Sequence, residues 1–444
     1  MGNLVAPTVT VAFILAVCYA VGFVVYRLYF HPLAKFPGPR LNALSSIPGI
    51  YWLLKGRLPF VNHELHKRYG PIVRVSPNEL SFASAQAWED IYGHRQGQTN
   101  MHKDPIHVGS VAPLPGVTTL TMADDANHAR QRRALAYSFS QKALFEQEDI
   151  VNGYVSTFIS KLRVMGEHDE EFNLVNWLNF TTFDIIGDLA FGEPFGCLSA
   201  GKFQEWVALI FETVKVGAIE QATRRFATAG SPLQNFLLGL IPKEVRARRT
   251  NHLEQSREKV LRRLANENTQ HKDFIWYIMN KNKHDLKQDE IIVNGALFIV
   301  AGSETTANAL SGIIARLLRN PDKLEKLTTE IRENIKSDAD CTSENFGKLP
   351  YMEACLEEGL RIHPPVPAGL LRTVPAGGSL VDGHFVPEGT SVAVGGYAAS
   401  HNPANFRDCD SFIPERWLDD AYSTDVKKGA QPFSLGPRGC IGKQ

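Results

Sequence analysis

Phe433-Ser434-Leu435-Gly436-Pro437-Arg438-Gly439-Cys440-Ile441-Gly442, close to the end of a 444-residue chain, is the stretch on which the reading of the whole sequence turns. Glycines on both sides of a cysteine give the backbone freedom and steric room. Such a loop can bring sulfur close to a metal and leave amides free to point at it. Cys440 is therefore a candidate thiolate ligand of an iron centre, with Arg438 as a candidate counter-charge for an anionic group nearby. The competing reading is a glycine-rich surface turn with an incidental cysteine. Spacing decides against it, because F-x-x-G-x-R-x-C-x-G arises by chance in a chain of this length on the order of once in ten thousand sequences.

The pattern resembles the haem-binding loop of cytochrome P450 monooxygenases. The resemblance implies that Cys440 is the axial ligand of haem b iron, where thiolate electron donation favours O–O cleavage. It also implies that Arg438 neutralises a haem propionate and that Phe433 and Gly436 shape the cradle.

Composition sets the bounds. With 44% hydrophobic residues the chain can bury a large core. Lys+Arg and Asp+Glu are 47 each, so no global field attracts nucleic acid, and none is expected as a partner. The cysteines at 18, 197, 341, 355, 409 and 440 form no C-x-x-C pair, which argues against a disulfide scaffold or a zinc site.

Met1 to Tyr26 carries no charged side chain, and Thr8 to Tyr26 is an apolar run long enough to cross a bilayer. Residues 1–30 read as a single-pass transmembrane anchor. A secretory signal is the alternative, but no basic n-region precedes the run and no small-residue cleavage site follows it. Arg27, Lys35 and Arg40 come after the span, which leaves the body of the protein in the cytosol and the sequon Asn179-Phe180-Thr181 unmodified. Phe36-Pro37-Gly38-Pro39, within 31–40, reads as a proline-rich hinge, and 41–444 as the catalytic domain. P450 enzymes of the endoplasmic reticulum have a similar anchor and hinge, so the resemblance implies that membrane.

Ile72 to Val75 and Glu79 to Phe82 are strand-like runs split by the turn Ser76-Pro77-Asn78. Pro105 to Gly116 is an irregular loop of the kind that lines pockets. Asp124 to Phe139 has His128, Arg130, Arg132 and Arg133 at helical spacing, which taken alone is a solvated basic face. The family places a Trp and an Arg four residues on at the propionates. Here those positions hold His128 and Arg132, a departure at 128. Arg130, Arg133, Lys427 and Lys428 would then form a patch for an acidic reductase. Phe172 to Phe191 reads as core, Lys202 to Ile241 as a pocket roof or membrane-surface segment, and Lys243 to His284 as a solvated helical face.

Asp289 to Leu318 is a long helical pattern almost free of charge between Ile291 and Ala315, so most of its circumference should be buried. Glu304 is the exception. Ala301-Gly302-Ser303-Glu304-Thr305-Thr306 puts glycine, acid and hydroxyls mid-helix, where a core would not choose them. Threonine hydroxyls can bond back to the preceding turn and open it, leaving room for dioxygen and water beside Gly302. In the family this A-G-x-E-T-T stretch crosses the distal face of the haem, and Glu304 and Thr305 take the positions of the proton-delivering acid and alcohol.

Glu358 and Arg361, at i and i+3, match the family's E-x-x-R motif, with Arg416 in Pro414-Glu415-Arg416-Trp417 as the later arginine of a structural clamp. His363-Pro364-Pro365 ends that helix. By resemblance Val366 to Leu371 line the pocket and Arg372 is a further propionate ligand. Asp382-Gly383 between Leu380-Val381 and His384-Phe385-Val386 signals a hairpin, and Thr390 to Val394 a strand.

The resemblance implies a mainly α fold with a small β region, and haem between the Glu304 helix and the Cys440 loop. It implies insertion of one oxygen atom from dioxygen into a lipophilic small molecule, most like the fungal microsomal enzymes of secondary metabolism. Electrons would come from NADPH through cytochrome P450 reductase, with cytochrome b5 as a further candidate donor. Family members continue past the cysteine loop into a helix and a β hairpin, whereas this sequence stops at Gln444. An incomplete catalytic domain is thus expected, and the rival reading is a membrane-anchored remnant without activity. A haem enzyme using a hydroperoxide is a third reading, opposed by the intact Glu304-Thr305 pair.

Overall fold

A computed structural model describes residues 5–443 apart from 96, 98, 113, 229, 267–269 and 282–284; Gln444, on which the expectation about the chain's end falls, lies outside them. The helices that position the site are α1 (Val5–Val25), α2 (Ala85–Tyr92), α3 (Asp125–Leu135), α4 (Leu174–Phe191), α5 (Glu205–Phe226), α6 (Lys243–Ala265), α7 (Gln288–Leu318) and α8 (Pro350–Ile362). The strands are β1 (Ile72–Ser76), β2 (Glu79–Phe82), β3 (His102–Lys103), β4 (Arg372–Thr373), β5 (Ser379–Val381), β6 (His384–Val386) and β7 (Ser391–Val394). The fold is mainly α with a small β region, as the sequence led us to expect.

The main core surrounds the first half of α7. Ile292, Ala296 and Ile299 are fully buried against Phe183 of α4, Val207 and Ile210 of α5, and Val260 of α6. Gly302 is where α4 crosses, since a Cβ there would lie 2.9 Å from Ile186 Cδ1. On the side a Cβ would take, Gly302 is therefore packed against a neighbouring side chain. α7 stays α-helical throughout, so the hydroxyls at 303 and 305 do not break it. Its burial is continuous from Glu290 to Val300 and one-sided after that, with Ala301, Thr306 and Asn308 exposed and Ser303, Ala307, Ile313 and Leu317 buried.

α6 departs from the solvated face expected of it. Arg249, His252, Leu253, Ser256, Val260 and Arg263 form a buried stripe, because the charges that dominate its composition crowd the other faces. His252 accepts from Trp206 Nε1 at 3.0 Å through Nδ1, which leaves Nε2 to donate to the Ala296 carbonyl at 3.0 Å. Burial pushes this imidazole down to about 4, so it ties α5, α6 and α7 together as a neutral group.

A five-stranded sheet has the order β1-β2-β7-β4-β3, and β5 and β6 pair separately as a hairpin. That hairpin turns through Asp382 and Gly383, both at positive φ (50° and 72°), as Asp-Gly predicts. β2 runs parallel to β7, with Leu80 opposite Val392, and β4 runs antiparallel to β7, with Arg372 opposite Val392. Pro37 and Gly38 lie against β1, where the Arg74 amide donates to the Pro37 carbonyl at 2.8 Å. Thr8 to Tyr26 is exposed, as are Tyr29 and Phe30 in the turn that follows α1, and Thr8–Phe30 is apolar enough to cross a membrane.

The chain between α8 and the cysteine loop is held by Glu358, Arg361 and Arg416, none of which is accessible to solvent. Glu358 takes two bonds from Arg361 at 2.8 Å, two from Arg416 Nε at 3.1 Å, one from Trp417 Nε1 at 3.1 Å and one from the Ile413 amide at 2.9 Å. Arg361 spends its remaining donors on the carbonyls of Ser400, Cys409 and Ser411. Arg416 reaches the Arg407 carbonyl and pairs with Asp425. Glu358→Ala leaves the buried Arg361 guanidinium without a carboxylate and Arg416 with Asp425 alone, so it should lower the unfolding free energy by about 3–5 kcal/mol. Denaturant titration of the solubilised protein checks this, and a loss below about 1 kcal/mol would show that the clamp is dispensable.

Candidate haem site

Between the Glu358 clamp and the cysteine loop, the Gly429 carbonyl accepts from Trp88 Nε1 of α2 at 3.1 Å. Ser434 enters the loop at positive φ (57°), and the Cys440 amide closes it by donating to the Phe433 carbonyl at 2.8 Å. Gly436 sits at φ 66°, and a Cβ there would overlap the Tyr92 carbonyl. Only glycine lets the loop seat on the end of α2. Gly442 has open space around it, so its glycine is not dictated by packing.

Cys440 is exposed, as is Gly442, although neighbouring atoms crowd its sulfur. That crowding pushes the thiol up, against the Gly442 amide and the charge of Arg132, which favour the thiolate. Arg132, on α3, donates to the Gly439 carbonyl at 2.6 Å and so pins the residue next to the cysteine.

Arg438 turns the other way. Its Nη2 donates to the Ala123 carbonyl at 2.7 Å and to Asp125 Oδ1 at 2.8 Å. Partial burial raises the Asp125 carboxyl, but hydrogen bonds from Arg438 and His102 outweigh this and hold it below its ordinary range. Arg372 is almost wholly buried on β4, stacks over the Tyr92 ring at 5.0 Å and, among the described residues, donates only to the carbonyls of Leu370 and Leu371 just before it. Lys103 faces it directly across the β3–β4 pair and donates to the Thr121 carbonyl. Two like charges opposed in a ladder repel. Burial, with Arg372 and Arg438 close by, pushes the Lys103 amine down to about 7. Burial likewise lowers His128 to about 4, helped by Arg438, Arg132 and Lys103, so its ring is neutral.

Arg132, His128, Arg372, Arg438 and Gly436 line one cavity of about 610 Å3, with Asp125 the sole carboxylate among its described residues. Arginine charge in such excess, partnered mainly by carbonyls, suits a ligand carrying two carboxylates, which is the chemistry of a haem edge. The residues present therefore fit the group. Glu304 and Thr305 line a different cavity, of about 540 Å3, with Asn179, Phe211 and Asn308. Thr305 donates to the Ala301 carbonyl at 2.6 Å, and burial without a partner raises the Glu304 carboxyl.

One of the predicted basic residues faces elsewhere than expected. Arg130 is clamped by Glu290 through both carboxylate oxygens and also donates to the Asp285 carbonyl, so it is a tie between α3 and α7. Lys428 is exposed and pairs at the surface with Glu89 at 2.8 Å, and Arg133 is exposed as well. Sequence reasoning missed Asp125, Lys103 and Tyr92. Asp125 follows the helix cap Asp124 and could have been suspected from that place; the other two carry no local signal.

A family model described as Cytochrome P450 matches residues 39–444. The cytochrome P450 monooxygenase aba2 of Botryotinia fuckeliana is 45% identical over 443 residues, which is 99% of this chain and 83% of that protein. The cytochrome P450 monooxygenase ABA2 of Pyricularia oryzae is 43% identical over 451 residues, covering 100% and 85%. The cytochrome P450 monooxygenase astJ of Aspergillus oryzae is 41% identical over 426 residues, covering 94% and 84%. Likeness of this depth along nearly the whole sequence makes the chain a member of the cytochrome P450 family, a monooxygenase whose cofactor is haem.

Proposed function

We propose that the protein is a membrane-anchored monooxygenase of fungal secondary metabolism. In this reading it inserts one oxygen atom into a lipophilic small molecule at the endoplasmic reticulum, with its catalytic domain in the cytosol. NADPH supplies the electrons through cytochrome P450 reductase, for which exposed Arg133 and Lys427 remain docking candidates. The observation that carries the site assignment is the excess of arginine around the loop of Cys440, with Arg132 bonded to the residue beside the cysteine.

Cys440 would hold the iron, Arg132, Arg372 and Arg438 would take the propionates, and neutral His128 would add a hydrogen bond without charge. Haem bound there supplies the reduction and cleavage of dioxygen. The Gly442 amide and Arg132 spread the negative charge of the sulfur. Glu304, whose carboxyl is raised by burial, keeps its proton at higher pH than a free glutamate and can pass it on. The Thr305 hydroxyl spends its own proton on Ala301 and so leaves its oxygen free to accept one.

Replacing the ligand tests the first assignment. Cys440→Ser should abolish the thiolate-type Soret band of the reduced, carbon monoxide-treated protein together with turnover; an unchanged spectrum would end this reading. A second test uses pH. Because the raised Glu304 carboxyl binds its proton more tightly in the folded state than in the unfolded chain, its contribution to stability declines as pH rises from about 4.5 through the raised value. Glu304→Gln should flatten that decline in a melting-temperature series and lower the product formed per NADPH consumed. A series that runs parallel to the parent's would place Glu304 in solvent and outside the proton path.

A further inference from the structure

α5 and α6 meet over the loop 105–111, and three charged side chains converge there. Glu220 and Arg224 lie one turn apart on α5, and Arg249 comes from α6. Glu220 Oε1 receives Arg224 Nη2 and Oε2 receives Arg249 Nη1, both at 2.6 Å. Arg224 Nη1 also donates to the carbonyls of Pro105 at 3.0 Å and His107 at 2.6 Å. Arg249 Nη2 reaches those of Gly109 at 2.6 Å and Val111 at 2.7 Å.

One carboxylate thus serves two guanidinium groups, and one positive charge is left over. Arg249 is only 6% exposed, so water does not disperse that charge. Both arginines also keep a buried Nε–H without a partner, where buried donors are normally used. Other ionisable groups of the region are already committed. Glu79 pairs with Arg225, and Asp104 accepts from Thr373 and Ser391. His107 is neutral, since burial and the charges of Lys103, Arg372, Arg224 and Arg438 push it to about 3.

The same three charged side chains line a cavity of about 160 Å3 whose other walls include Val108, Val111, Met122 and Val293, the last on α7. Apolar walls with a cationic end suit one kind of ligand. A neutral oxygen would satisfy a donor and leave the charge, whereas a carboxylate satisfies both.

We propose that Arg224 and Arg249, held by Glu220, form the recognition site for the carboxylate of a lipophilic acid. The acid's role as substrate rests on the monooxygenase reading; its binding does not. The cavity takes the head of such a molecule, and the two arginines hold the loop 105–111 over it, so recognition and closure of this wall use the same groups.

Equilibrium dialysis of the haem-loaded full chain in phospholipid nanodiscs, with empty nanodiscs subtracted, tests this using octanoic acid, methyl octanoate and 1-octanol as probes. The acid should bind about tenfold or more tightly than the ester or the alcohol, a difference of about 1.4 kcal/mol or more. Arg249→Gln should remove that preference and Arg249→Lys should restore part of it. Equal affinity of the unaltered protein for acid and ester overturns the proposal, which is also the result a merely water-filled cavity gives, and it holds even where a variant misfolds. Dialysis needs no turnover, so acid preference without oxidised product sinks the monooxygenase reading alone, and oxidation of neutral substrates without acid preference sinks only this one.

Discussion

One buried carboxylate, Glu358, carries the loops behind the candidate iron ligand. It accepts from both Arg361 and Arg416, and those two residues hold the carbonyls of five others between Ser400 and Ser411. A backbone that winds through so many turns has few hydrogen bonds of its own to offer, so buried carbonyls must find donors elsewhere. Guanidinium groups supply them in numbers, and a single carboxylate balances part of their charge. The last residue this arrangement holds is Asp425, and the cysteine loop follows it in the chain.

A second constraint is the distribution of charge in a chain that is neutral overall. Positive side chains crowd the interior around Arg132, Arg372, Arg438 and Lys103, and again around Arg224 and Arg249, while carboxylates nearby are few and already bonded. Burying like charges together is unfavourable unless an anion joins them. The displaced values of Lys103, His107 and His128 record that field, each pushed down chiefly by burial and further by the arginines. The first cluster fits the two carboxylates of a haem, and the second asks for an anion of its own.

α7 divides into two working halves. From Glu290 to Val300 it is a core helix enclosed by α4, α5 and α6; from Ala301 it presents Thr305 and Asn308 to a cavity. The polar residues fall at the boundary, where Glu304 is half-buried and unpaired. A carboxyl in that position resists ionisation, which is the state a proton donor needs.

The sequence by itself determined the family, the mainly helical character, the β1, β2 and β7 strands, the Asp-Gly turn and the residues of the cysteine loop, because each of these is written in a short stretch with its own spacing. It also named Glu358, Arg361 and Arg416 as partners. What it could not supply were pairings between distant segments. Register across β3 and β4 brings Lys103 opposite Arg372, packing of α3 on α7 turns Arg130 inward to Glu290, and the crossing of α4 puts Ile186 against Gly302. Glu220, Arg224 and Arg249 belong to the same class: three ordinary charges on segments read as a pocket roof or membrane-surface stretch and as a solvated face, which become a site only when α5 and α6 close over the loop 105–111. Local pattern decides which elements form, and burial decides which charges must find each other.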